Sequence, residues 1–197
     1  MKALLGRVRN ILLRPGVEWR VIKDEPASYP NVIVRYVAPL AAIPPAAAVL
    51  GRFVFDRNIP DSALSLSLNY LLFTNLLWFG MNIVSVMITG TVITAIMAAT
   101  ESRWRGVRGL QVAAYSFTPL FIAGFLASIP FMAWSLAPAV VYGVYILYQG
   151  TRALTTIQGT KAVWFTGVSF LAAAVIVGVM NMFEYMLESF VARRMFF

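Results

Sequence analysis

The sequence predicts an all-α, polytopic integral membrane protein, with five transmembrane helices preceded by an amino-terminal amphipathic interfacial helix. Three observations carry that prediction. The 197 residues are 60% hydrophobic and 12% charged, against roughly half apolar and about a quarter charged in an ordinary soluble domain. The apolar residues gather into five runs, and a hydrocarbon core about 30 Å thick needs about 20 such residues of helix per crossing. The basic residues favour one set of alternate connections, the pattern that orients membrane proteins.

Taken in order, residues 1–30 read as a cytoplasmic amphipathic segment. Leu4, Val8, Ile11 and Leu12 recur at helical spacing with Lys2 and Arg9 opposite, the stripe of a helix lying in a membrane surface. Pro15 and Gly16 interrupt it, and residues 17–23 bring Trp19 and Arg20 to headgroup depth. Arg7, Arg9, Arg14 and Trp19, with Arg103, Arg105 and Arg108 from a later connection, are the predicted interfacial or lipid-contact residues. Their charge suits anionic lipid. Basic residues break up any apolar run before residue 30 and no small-residue cleavage pattern follows, so the first spanning helix is expected to drive insertion in place of a cleaved signal.

The transmembrane domain is expected over 31–190, with a short external tail at 191–197. Its first span, 33–54, contains Pro39, Pro44 and Pro45, which predict a kinked or broken helix. The second covers 76–100, with an apolar approach at 64–74. The third and fourth, 110–128 and 131–149, are separated by Ile129 and Pro130 and form a tight antiparallel hairpin. The fifth covers 163–186. The runs are long and uniformly apolar, unlike the alternating strands of about 10 residues in a membrane barrel.

Twelve of the 16 lysines and arginines, counting Arg35 at the very start of span one, lie at or before that start or between spans two and three or four and five; Arg52, Arg57, Arg193 and Arg194 fall on the other side. That bias places the amino terminus in the cytoplasm and the carboxyl terminus outside. An odd number of spans agrees with it.

The chain has no histidine and no cysteine, which excludes imidazole and thiolate chemistry. No phosphate-cradling glycine loop appears either, so no enzyme, cofactor or catalytic residue is assigned. The charge of +8 reflects membrane orientation and gives no nucleic-acid reading. Asn75, Asn82, Ser85 and Thr89 share one face of span two, which predicts a polar pathway or, more simply, interhelical hydrogen bonds. Gly167, Ala174, Gly178 and Asn181 form a small-residue face on span five, as at close helix contacts. Glu184 and Glu188 continue it and are the nearest approach to a site for a hard cation such as Mg or Ca ions; the competing reading is of interfacial carboxylates beside Arg193 and Arg194. Tyr142, Tyr145 and Gln149 share a face of span four with Tyr148 beside them, and are read as interfacial anchors.

Three short motifs then fall in a telling order. Pro15, Trp19, Arg20, Val21 and Ile22 follow the basic start; Ala114, Tyr115, Ser116, Phe117, Thr118 and Pro119 lie in span three; Tyr145, Ile146, Leu147, Tyr148, Gln149 and Gly150 close span four. This arrangement resembles the Yip family of Ypt/Rab-GTPase-interacting membrane proteins and their bacterial relatives. For eukaryotic members the resemblance implies five-helix proteins of endoplasmic reticulum and Golgi membranes that bind prenylated Rab GTPases. Here Glu25, Pro26, Ala27, Ser28 and Tyr29 replace the Asp-Leu-Tyr-Gly-Pro type motif of those members. The chain therefore looks like the bacterial branch, which implies the inner membrane. The expected function is a non-enzymatic membrane organiser that contacts lipid, recruits protein partners or self-associates; the alternative is a channel or transporter for a small solute or cation.

Overall fold

The computed structural model describes residues 2–55, 61–100, 107–129 and 131–196. Every regular element among them is helical, because within a bilayer a helix satisfies its backbone groups inside one segment. The chain opens with α1 (Lys2–Leu13) and α2 (Pro15–Asp24). Pro15 occupies the first position of α2, where its missing N–H costs nothing.

The first span runs over Tyr29–Gly51 and is broken, as its prolines predict. It is built of α3 (Tyr29–Val32), a π-helical stretch (Ile33–Val37), α4 (Ala38–Ala41) and α5 (Ile43–Phe55). Pro39 and the Pro44–Pro45 pair fall in the first turns of α4 and α5, positions whose N–H groups have no partner within the helix. Spans two and three follow as α6 (Asp61–Thr100) and as α7 (Arg108–Ser116) with α8 (Thr118–Ala127). The apolar approach at 64–74 is therefore continuous with span two. The break between α7 and α8 falls at Phe117, where Pro119 has no N–H to offer the Tyr115 carbonyl. A 3-10 turn, Ala133–Ser135, leads into α9 (Leu136–Leu154), and α10 (Thr160–Phe196) completes the bundle.

Four stretches among the described residues are long and apolar enough to cross a membrane: Tyr29–Gly51, Leu68–Ala99, Arg108–Ala127 and Thr160–Val191. The remaining predicted span is α9, shifted toward the carboxyl terminus of 131–149. Its later half carries Tyr145, Tyr148, Gln149 and Arg152, and this polarity sets it apart from the other four. The polytopic all-helical architecture stands, and α9 is the predicted span that falls short of the other four in length of apolar helix.

The third span is the most enclosed and α10 the least, with 67% and 17% of their most apolar stretches buried. One face of α10, including Trp164, Leu171, Val175 and Tyr185, is open to the surroundings, as a lipid-facing helix requires. The backbones of α6 and α7 touch. A Cβ added at Gly109 would stand 2.6 Å from both the Gly90 oxygen and the Thr94 nitrogen, and one at Gly90 would stand 2.7 Å from Leu110 Cα. By contrast, a Cβ at Gly167 or Gly178 would meet nothing within 4 Å. At Gly167 and Gly178 the small-residue face of α10 thus makes no close helix contact within this chain, contrary to the sequence expectation.

Candidate functional site

The amino-terminal pair supplies the first part of the site. The outer sides of α1 and α2 expose Leu5, Leu13, Val17 and Val21 together with Arg9, Arg14 and Arg20, while Ile11, Glu18, Trp19 and Ile22 are buried on the inner sides. Between the two helices Arg7 Nη1 donates to Glu18 at 2.5 Å, and Nη2 donates to the Glu25 carboxylate at 2.7 and 2.5 Å. Partial burial by itself works against the Arg7 charge. The hydrogen bond to Glu25 and the surrounding charges outweigh it and hold the guanidinium above its ordinary value. Arg7 therefore ties α1 to α2 as a permanent cation, and Glu18, 6% exposed, has the partner that a buried carboxylate needs.

The pair is fixed to the bundle at three points. Trp19 Nε1 donates to the Ile146 carbonyl at 3.2 Å, and its ring lies so close to α9 that a Cβ at Gly150 would stand 2.5 Å from Cζ2. The same ring meets Tyr115 edge-on at 5.4 Å between centroids, Tyr115 meets Tyr36 at 4.6 Å, and the hydroxyls of Tyr36 and Thr118 share a 2.8 Å hydrogen bond. Arg108 donates to the Ile22 and Lys23 carbonyls at 2.9 and 2.8 Å, occupying carbonyls that a helix end leaves unpaired with the charge that the helix dipole favours there. Tyr142 donates to the Leu12 carbonyl at the end of α1.

These contacts correct the reading of Trp19 as a lipid anchor. It is fully buried, because Gly150 leaves space for the indole and Ile146 accepts its N–H. Arg7 and Arg108 likewise contact protein groups. Arg9 and Arg14 remain exposed; Arg103 and Arg105 lie outside the described residues. Nothing in the sequence singles out Glu18, and Gly150 appears there only as the last residue of a short motif. Their signal was available only in part: Trp19, Tyr115, Thr118, Ile146 and Gly150 all belong to the three short motifs, which the fold brings into one cluster.

The second part is a cavity of about 350 Å³ between α6, α7, α8, α9 and α10. Its walls are mostly apolar, from Ile93, Phe117, Leu120, Val144, Leu147, Phe170 and Val177 among others. Of the predicted polar residues, Thr89 and Asn181 line it, whereas Asn75, Asn82, Ser85, Glu184 and Glu188 are not among its walls. Asn75 Nδ2 instead donates to the Leu71 carbonyl of its own helix at 2.7 Å, and Ser85 is buried. Glu184 and Glu188 stand one turn apart on α10. Among the described residues no group of three or more acidic side chains is gathered as a metal site would need.

The Yip1 domain matches the chain over residues 9–180. An inner membrane protein, YohC, of Escherichia coli strain K12 is 27% identical over 184 residues, covering 89% of this chain and 90% of the relative. YohC of the E. coli O6:H1 strain CFT073 matches to the same extent. No solved structure matches.

Proposed function

The chain belongs to the Yip1 domain family, and from that premise we propose that it is a non-enzymatic organiser of the membrane in which it sits, the inner membrane of a bacterial cell. The observation that carries this reading is the outer face of the docked amino-terminal pair. Leu5, Leu13, Val17 and Val21 are 63%, 68%, 56% and 46% exposed, and Arg9, Arg14 and Arg20 stand among them. Apolar side chains that enter the acyl boundary beside cations that meet headgroups are the means by which a surface helix gathers anionic lipid. The positive bias of the same connections supports a cytoplasmic placement, and the relatives' inner-membrane character supports the location.

Because α1 and α2 are fixed to the spans at Trp19, Arg108 and Tyr142, lipid gathered on their outer face is held at a set position around the bundle. Reconstitution into mixed phosphatidylcholine and phosphatidylglycerol membranes tests this. Energy transfer to labelled lipid is expected to show phosphatidylglycerol enriched around the protein. Arg9→Gln, Arg14→Gln and Arg20→Gln are each expected to weaken the enrichment by about 1 kcal/mol, and added salt should reduce it. Enrichment identical in the triple variant would remove the proposal.

A further inference from the structure

The hydroxyls of Thr89, Ser116 and Ser169 come from three different helices, α6, α7 and α10, and line the same cavity. All three residues are more than nine-tenths buried, and none of the hydroxyls has a hydrogen-bond partner. This is unusual within the chain. Thr91, Thr94, Thr151, Thr155 and Thr166 each turn the hydroxyl back onto the carbonyl four residues earlier, the ordinary solution for such residues in a helix. A hydrocarbon core supplies no water to satisfy the exceptions.

Their depth is also shared. They lie eight to ten residues inside the span ends at Ala99, Arg108 and Thr160, about 12–15 Å at 1.5 Å per residue. The level is close to the middle of the core, on the side where α1 and α2 dock. From Ser169 the cavity follows α10 to Asn181, a distance of about 18 Å. Among the described residues no charged side chain is part of its walls, so a charged head has no counter-ion from them at that level. Its volume is at the lower end of small-molecule sites, which run from about 300 Å³ upward.

We propose that this cavity binds a neutral, single-chain lipid with an oxygen-bearing head of the long-chain alcohol or monoacylglycerol type. The head oxygen exchanges hydrogen bonds with the hydroxyls of Thr89, Ser116 and Ser169, and the alkyl chain lies along α10 toward Asn181. A purely hydrocarbon occupant leaves three buried hydroxyls unpaired, and a charged one pays desolvation without a partner. The site is independent of the lipid surface proposed for α1 and α2.

Photolabelling of the full-length protein in phosphatidylcholine nanodiscs tests this, with a diazirine-bearing hexadecanol as the probe and peptide mapping as the readout. Label is expected on residues 140–147 and 169–181. Unlabelled hexadecanol and monopalmitoylglycerol compete, and the better competitor identifies the head type; hexadecane and palmitate compete weakly. A Cβ at Gly178 meets no neighbour within 4 Å, so Gly178→Leu is expected to fold while occupying part of the cavity and to reduce labelling about tenfold. The combined Thr89→Val, Ser116→Ala and Ser169→Ala variant keeps the walls and is expected to bind the alcohol no better than the alkane. Label spread evenly over the lipid-facing surface, or equal competition by hexadecane and hexadecanol in the parent protein, would overturn the proposal.

Discussion

Replacing Trp19 by alanine is expected to lower stability by about 3–5 kcal/mol, the range for truncating a buried large aromatic, and to release α1 and α2 from the bundle. The indole is fully enclosed, and it joins α2 to α9 through Ile146 and Gly150 and to α7 through Tyr115. Its loss leaves a cavity where these elements meet. Thermal unfolding in nanodiscs measures the stability change, and hydrogen exchange distinguishes local undocking from general weakening, because protection should fall first in residues 2–24. Trp19→Phe keeps one aromatic ring in the pocket and loses the N–H donor together with part of the ring volume, so its cost is expected to be smaller, about 1–3 kcal/mol. Equal loss in both variants would mean that the ring retained by phenylalanine contributes nothing to docking.

The second large effect is expected at Gly109. Even alanine there is expected to cost about 3 kcal/mol, the upper end for overpacking, and leucine more. Besides the Thr94 Oγ1, the atoms in its way are the backbone oxygen of Gly90 and nitrogen of Thr94, which cannot swing aside as a side-chain end can, so α6 and α7 must separate. Gly167→Ala supplies the contrast: its new methyl meets nothing within 4 Å, and exchanging glycine for alanine inside a helix is expected to stabilise by roughly 0.5–1 kcal/mol. Both are read as shifts in thermal unfolding. A neutral Gly109→Ala would contradict the backbone contact between α6 and α7.

These two positions show what the sequence made legible. Composition and run length were enough for the helical class, because a bilayer imposes the length of each apolar segment and leaves few backbone solutions. Proline positions were informative for the same reason, and the breaks at Ala42 and Phe117 follow from missing N–H groups. The docked pair was only half legible. An apolar stripe on residues 4–12 says that one side is buried, but lipid and protein are equally apolar coverings. From sequence alone Trp19 therefore has the role of an interfacial anchor, the commonest for tryptophan at that depth. Its actual partner, Ile146, lies 127 residues away, beyond the reach of any local pattern.

The polar faces divide in the same way. Spacing places Asn75, Asn82, Ser85 and Thr89 on one side of α6, yet only Thr89 reaches the cavity, because the neighbouring helices decide which part of that face is covered. The small residues of α10 permit a close approach without requiring one, and Gly167 and Gly178 have no such neighbour in this chain. The contacts of Gly109 and Gly150 are not readable from sequence, because a glycine that accepts a neighbour looks like any other glycine in an apolar run.

On this reading α1 and α2 are fixed on the bundle with their outer face in the leaflet. The absence of cysteine allows this to be measured with single Leu13→Cys, Val17→Cys and Val21→Cys variants, each carrying an environment-sensitive dye in proteoliposomes. The dyes are expected to show blue-shifted emission and strong quenching by lipids spin-labelled just below the headgroup, with weak quenching by aqueous iodide. Water-like emission at all three positions with full iodide access would rule out that placement of α1 and α2.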